Sequence, residues 1–216
     1  MVLKETLRIT EIFSSIQGES SKVGLPSTFI RLTGCPLRCQ YCDTSYAFTG
    51  GERITFDEIF SQVKSIGNKD ICVTGGEPLA QNEAKDFLKK LTALQYHVSL
   101  ETSGSISIDN IDSRVKIVMD IKTPDSGEVS KNDWNNISLM KKTDEFKFVI
   151  CSDEDYEWSK TILRKYSLDK KSIVLFSPCT ESMEASHLAD LILKDRLKVR
   201  FQVQLHKILW GDESGR

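Results

Sequence analysis

Several protein classes are excluded by what this chain of 216 residues does not contain. No apolar run approaches the roughly 18 residues of a membrane-spanning helix, so no membrane segment is expected. No long basic block is present and the formal net charge is −2, which removes the positive stripe of a non-specific nucleic-acid binder. Residues 1–11 mix charge with single apolar residues and hold no signal-peptide core. No internal repeat or low-complexity stretch interrupts the chain. Six cysteines do not read as three disulfides, because the chain is large, lacks a secretory signal and clusters half of them. A reduced, cytoplasmic setting is the resulting expectation. The hydrophobic and charged fractions, 39% and 28%, are those of a globular protein, and the length suits one domain over residues 1–216.

What is present centres on Cys35-Pro-Leu-Arg-Cys39-Gln-Tyr-Cys42. Thiolates this close can point at one metal centre. Three is the informative count, since a structural zinc site or an electron-transfer cluster is normally closed by four ligands. A three-thiolate cubane leaves one iron open to a reactant. Taken alone, the loop also fits a zinc site completed by Cys72, Cys151, Cys179 or a histidine.

Around this loop the sequence alternates strand and helix. Strands are expected at Glu11–Phe13, Thr28–Thr33, Asp70–Thr74, Tyr96–Leu100, Lys116–Ile121, Glu145–Ile150, Ser172–Phe176 and Val199–Leu205. Helices are expected over Gln81–Leu94, Asp153–Tyr166 and Glu181–Leu193. Thr55-Phe-Asp-Glu58 has the form of a capping box, followed by the apolar stripe Ile59, Phe60, Val63, Ile66 and a stop at Gly67. Residues 125–136 read as a polar loop. This order predicts an α/β protein with a parallel sheet, either a whole or partial β/α barrel or a doubly wound sheet. Polar motifs recur at strand ends: Gly75-Gly-Glu-Pro78, Glu101-Thr-Ser-Gly104, Lys122-Thr-Pro124 and Ser177-Pro-Cys179. In parallel β/α folds such ends surround the ligand mouth.

The cysteine spacing, Tyr41 before the last cysteine, and a downstream strand ending in Gly-Gly-Glu-Pro resemble the radical S-adenosylmethionine superfamily. The resemblance implies a partial, reduced β/α barrel. The stretch after Lys122 is too irregular for eight units, and the chain is shorter than the ~250 residues of a full barrel. Cys35, Cys39 and Cys42 are then the ligands of a [4Fe-4S] cluster, with S-adenosylmethionine on the open iron. Within the superfamily the chain resembles the 7-carboxy-7-deazaguanine synthase family. The resemblance runs over nearly the whole length, through Ser15-Ile-Gln-Gly-Glu19, Phe29-Ile-Arg-Leu-Thr-Gly-Cys35, Cys39-Gln-Tyr-Cys-Asp-Thr44, Thr74-Gly-Gly-Glu-Pro78, Glu101-Thr-Ser-Gly104, Asp120-Ile-Lys-Thr-Pro124 and Gln204-Leu-His-Lys207.

That resemblance implies hydrogen abstraction from C6 of 6-carboxy-5,6,7,8-tetrahydropterin by a 5′-deoxyadenosyl radical, then ring contraction with loss of ammonia in the queuosine and 7-deazapurine pathway. It implies Mg2+ at Thr44, and substrate contacts from Ile16, Gln17, Gly18, Glu19, Arg31, Thr74 and His206. Arg31 has an independent rationale, because a guanidinium binds a carboxylate bidentately. Implied S-adenosylmethionine contacts are Tyr41, Gly76, Glu77, Ser103, Lys122, Ser177 and Pro178. A homodimer and a flavodoxin-like electron donor are further expectations. A glycyl-radical-enzyme activase is one alternative, though it lacks the Gln-Gly-Glu loop. A non-catalytic zinc or Fe–S module is the other.

Overall fold

The computed structural model describes residues 5–211, 213 and 215. Strands β1 (Thr6–Ile16) and β2 (Pro26–Leu32) form an antiparallel hairpin, and β3 (Glu52–Thr55) pairs antiparallel with β1 on its far side. From β2 onward each neighbour is parallel: β4 (Asp70–Gly75), β5 (His97–Thr102), β6 (Lys116–Asp120), β7 (Glu145–Ile150), β8 (Ile173–Pro178) and β9 (Arg200–Phe201). The sheet order is β3-β1-β2-β4-β5-β6-β7-β8-β9, an open partial β/α barrel. The helices are α1 (Phe56–Ile66), α2 (Ala84–Ala93), α3 (Asn136–Leu139), α4 (Asp153–Tyr166), α5 (Leu168–Lys171), α6 (Ala185–Asp195) and α7 (Leu205–Trp210).

Successive strand residues face opposite sides of the sheet, and here the two sides differ in chemistry. Ile30, Leu32, Ile71, Val73, Val98, Leu100, Ile117, Met119, Phe146, Phe148, Val174 and Phe176 face the helices and join one core with Ile59, Val63, Phe87, Leu91, Leu163 and Leu188. The alternate residues, among them Arg31, Thr74, Glu101, Asp120 and Lys147, line a cavity on the concave side. Burial on the helix side supplies the stability, which leaves the concave side free to be polar.

An open half-barrel cannot fill its interior with its own strands. The loop between β1 and β2 fills it instead. Its ends close through Gln17 N–H to Leu25 O at 2.9 Å and Gly24 N–H to Gln17 O at 2.8 Å. Between them the chain runs along the concave face. Glu19 pairs with Lys147, and Ser20 N–H donates to Gln202 at 2.9 Å. Ser21 N–H donates to both oxygens of Glu145, each at 3.1 Å, and Lys22 pairs with Asp70. Glu145 is fully buried and also holds Lys116 at 2.5 Å.

The capping box at Thr55 forms as its spelling implies: Thr55 N–H donates to Glu58 at 2.9 Å, and Gly67 ends α1 with φ 89°. Helix α4 covers the expected residues. The end of the chain differs. Only Arg200 and Phe201 pair with β8, and Leu205 N–H then donates to Gly18 O at 3.0 Å. His206 therefore lies on α7, not near the end of a strand. Strand β3 was not expected either, because Glu-Arg-Ile-Thr has no apolar alternation; it pairs with β1 through its backbone, and Arg53 donates to Thr6 Oγ1 at 3.2 Å.

Removing the Glu145 carboxylate takes the charged partner from Lys116 and one of its anchors from the loop. Glu145→Ala should cost about 3 kcal/mol in chemical denaturation, in line with breaking other buried ion pairs. It should also speed proteolysis within residues 17–25; unchanged stability and cleavage would contradict this role.

Candidate active site

The cysteine loop starts where β2 ends, and the Gly-Gly-Glu turn at the end of β4 holds it. Gly76 N–H donates to Leu32 O at 3.1 Å, and Glu77 N–H donates to Gly34 O at 2.8 Å. A Cβ on Gly75 would lie 2.2 Å from Leu32 O, and one on Gly76 would lie 2.3 Å from Gly34 O. These glycines are required for backbone to pack on backbone, which the motif alone did not reveal. Across the loop, Gly34 N–H donates to Ala47 O at 2.8 Å. The spacer residues brace it. The Arg38 guanidinium donates to Cys35 O at 2.8 Å and Leu37 O at 2.6 Å and lies 4.3 Å from the Phe48 ring. Arg38 N–H meets Glu128 at 2.5 Å, and Gln40 N–H meets Ser126 O at 3.1 Å. The polar segment after Lys122 thus supports the cysteines.

Cys35, Cys39 and Cys42 all line one cavity of about 350 Å³ at the C-terminal ends of the parallel strands. Among the described residues, no three His, Cys, Asp or Glu side chains are grouped to hold one metal ion. A [4Fe-4S] cubane makes a different demand, since it takes each thiolate on a separate iron atom. Three thiols around one wall fit it. Burial pushes the Cys39 thiol up to about 11 and raises Cys35 as well, with Lys122 opposing both. Such thiols become thiolates when a metal binds them.

Lys122 links this wall to the strand end. Its Nζ lies 3.0 Å from Asp120 Oδ2 and 5.7 Å from the Tyr41 ring centre. The Tyr41 hydroxyl and Asp120 Oδ1 are buried on the same cavity wall without a partner among the described residues. Native proteins seldom leave such atoms unpaired, and a polar ligand in the cavity would satisfy them. Gly76 and Ser103 complete this side.

Ile16, Gln17, Gly18, Glu19, Arg31, Thr74 and His206 line the same cavity. Glu101 organises several of them: it accepts from Gln17 Nε2 at 3.3 Å and from Thr74 Oγ1 at 3.0 Å. Arg31 Nε donates to Glu11 at 2.6 Å, and Tyr46 Oη donates to the same oxygen at 2.7 Å. Among the described residues, the terminal guanidinium nitrogens of Arg31 keep no hydrogen-bond partner and suit a second carboxylate. Thr44 lines the cavity, its hydroxyl donating to Asp43 at 2.8 Å. Desolvation opposes ionisation of Asp43, but the hydrogen bond from Thr44 and the charges of Lys147 and Lys207 outweigh it, so its pKa lies below the usual value. Helix α7 sits on the opening loop, where a Cβ on Gly18 would lie 2.2 Å from His206 Nδ1. In the tail, Gly211, Glu213 and Gly215 reach the cavity wall.

Three residues assigned from the sequence do not reach that wall. Glu77 is fully buried, with its carboxylate accepting from Leu79 N–H at 3.0 Å, Thr102 Oγ1 at 2.9 Å and Ser103 N–H at 2.7 Å. It ties the Gly-Gly-Glu turn to the Glu-Thr-Ser-Gly turn, and Thr102 and Ser103 line the cavity in front of it. Ser177 and Pro178 are buried in strand pairing with Val149 and Ile150, while Cys179, Thr180 and Glu181 line the wall beyond them. Conversely, Glu101, Asp120 and Lys147 had no assigned role. Asp120, Lys147 and Arg31 share one feature of the sequence, a charge inside an otherwise apolar strand.

An open, mostly parallel sheet with three thiols at the mouth defines the class. Over residues 29–167 the chain matches the model of the Radical SAM superfamily. A 7-carboxy-7-deazaguanine synthase of Chlorobaculum tepidum is 41% identical over 217 residues, 99% of each chain. Another of the same name, from Koribacter versatilis, is 40% identical over 96% of this chain and 99% of its own. A third, from Thermoplasma acidophilum, is 40% identical over 96% and 99%. The chain belongs to the 7-carboxy-7-deazaguanine synthase family of that superfamily. Among solved structures, QueE from Escherichia coli superposes with a TM-score of 0.77 at 20% identity, covering 93% of this chain and 95% of that one. Streptococcus suis SuiB bound to its precursor peptide SuiA shares the fold at a TM-score of 0.58 and 14% identity, over 79% of this chain and 46% of that one.

Because Gly76 packs on Gly34 through backbone, Gly76→Ala should displace the cysteine loop. The variant should keep its circular dichroism and lose most of its iron and sulfide after anaerobic reconstitution. Full cluster content would show that the turn does not set the loop.

Proposed function

We propose that this chain converts 6-carboxy-5,6,7,8-tetrahydropterin to 7-carboxy-7-deazaguanine and ammonia, a carbon–nitrogen lyase reaction. The observation that carries this reading is one cavity whose wall holds both the three thiols and a constellation suited to a carboxylated pterin. When bound, a [4Fe-4S] cluster on Cys35, Cys39 and Cys42 with S-adenosylmethionine supplies the electron and the radical chemistry that start the reaction.

The protein's own contribution is positioning and exclusion of water. Arg31 receives the substrate carboxylate through its terminal guanidinium nitrogens, with Nε pinned by Glu11. Gln17 and Glu19 meet the donor and acceptor edge of the pterin, and Glu101 holds Gln17 and Thr74 in place. His206 closes the site from α7. On the thiol side, Tyr41, Gly76, Ser103, Lys122 and Asp120 receive S-adenosylmethionine, and Cys179 and Thr180 take the place first given to Ser177 and Pro178. Glu77 acts from behind by orienting Ser103.

We place Mg2+ on Thr44, with the substrate carboxylate and water as its remaining ligands, in keeping with the few protein ligands this ion takes. The domain assignment is one unit over residues 1–216, supported by the single sheet. All six cysteines are free, which suits a reducing, cytoplasmic setting. No described helix is long and apolar enough to cross a membrane. The homodimer and the flavodoxin-like electron donor rest on the family resemblance.

Anaerobic incubation of the reconstituted, reduced chain with the carboxytetrahydropterin, S-adenosylmethionine and Mg2+ should give 7-carboxy-7-deazaguanine by mass spectrometry. No product from an intact cluster would defeat the reading. Arg31→Ala should raise the substrate KM about 100-fold, the loss expected for charge-assisted bonds of ~3 kcal/mol, and leave S-adenosylmethionine affinity unchanged. Equal loss of both affinities would make Arg31 structural. Thr44→Val should abolish the stimulation of turnover by Mg2+; an unchanged Mg2+ titration would remove the ion from Thr44.

A further inference from the structure

Lys147 has no part in the constellation described so far, yet it stands at the centre of it. It lies on β7 in the row Asp120–Lys147–Leu175, and its side chain is 13% exposed. Its ammonium pairs with Glu19 Oε2 and lies 3.9 Å from Asp120 Oδ2. Glu101 is the third carboxylate acting on it. The other oxygen of Glu19 accepts from Gln204 Nε2 at 2.8 Å. Both Glu19 oxygens are thereby fixed in direction. A carboxylate offers about four acceptor positions, so two remain for a ligand in the cavity that Glu19 lines.

The pair is not needed to seat the loop, which is anchored independently by Ser21 on Glu145, by Lys22 on Asp70 and by Ser20 on Gln202. Its effect is local. Glu19 is only 7% exposed and shares its surroundings with Asp120 and Glu101. Without Lys147, Glu19 loses the partner of Oε2 and can rotate away from the direction in which the pterin's amino and ring N–H groups need an acceptor.

We propose that Lys147 is the positioning residue for Glu19, holding it as an oriented acceptor for the donor edge of the pterin; this rests on the pterin reading above. Lys147 then acts first on recognition of the substrate, and its 3.9 Å approach to Asp120 Oδ2 is a weaker link to the cofactor side.

The test compares reconstituted full-length wild type, Lys147→Met, Glu19→Gln, the double variant and Lys147→Arg. Substrate KM and kcat are measured, together with reductive cleavage of S-adenosylmethionine in the absence of pterin. Lys147→Met should raise KM about 30-fold, in the range for a buried charged partner, with kcat within about threefold. The double variant should be no worse than the poorer single, because the two residues act as a unit. Lys147→Arg should recover most of the affinity, and in every variant cleavage without pterin should change far less than substrate KM. Additive losses, a wild-type KM in Lys147→Met, or a parallel loss of cleavage would each overturn the proposal. A wild-type protein that yields no deazaguanine would instead remove the pterin reading, visible before any variant is examined.

Discussion

The interior of the half-barrel depends on a run of charged contacts between one loop and the concave face of the sheet. A closed barrel fills its interior with layers of strand side chains. This sheet stays open, so the loop between β1 and β2 takes that place, with Glu19 on Lys147, Ser21 on Glu145 and Lys22 on Asp70. The arrangement explains why the concave residues are polar while the helix side is a continuous apolar core. It also explains why Gln17, Gly18 and Glu19 reach the cavity although they belong to a hairpin loop and to no parallel strand end. Helix α7 docks on the same loop through Leu205 and Gly18, so the chain's last helix depends on the placement of its first loop.

A second constraint acts at the mouth. The cysteine loop is set by its neighbours' backbones: Gly75 and Gly76 below it, Ala47 across it, and Ser126 beside it. Arg38 ties off carbonyls within it. A loop held this way keeps three thiols in place before any cluster binds, so less ordering remains when it does. Glu77 extends the same framework to the next strand end through Thr102 and Ser103.

Local signals in the sequence were sufficient wherever the structure is decided locally. The capping box at Thr55, the stop at Gly67, the full extent of α4 and the sequence of parallel strands all follow from cap chemistry and periodicity. That Cys35, Cys39 and Cys42 share one cavity with Tyr41, Thr74, Gly76, Ser103 and Lys122 was legible through motifs at strand ends. The remainder was settled by partners distant in the chain. The expected strand to Leu205 stops at Phe201, and Leu205 opens a helix instead where its N–H donates to Gly18 O, nearly two hundred residues earlier. Glu77 reads as a ligand contact until Thr102 and Ser103 are seen to occupy its oxygens. Lys147 and Asp120 carried a visible signal, a charge in an apolar strand, but only the register across β6 and β7 shows that they face each other and Glu19.

The central claim is that the three thiols and the pterin constellation share one cavity, close enough for a hydrogen to pass between their ligands. The direct measurement is isotope transfer. Reduced, reconstituted chain is given the carboxytetrahydropterin deuterated at C6, and the S-adenosylmethionine recovered after turnover is weighed by mass spectrometry. The conversion to 7-carboxy-7-deazaguanine and ammonia is redox-neutral, so the cofactor is regenerated, and deuterium accumulating in its adenosyl group as product forms is the predicted result. Unlabelled S-adenosylmethionine after many turnovers would contradict the account.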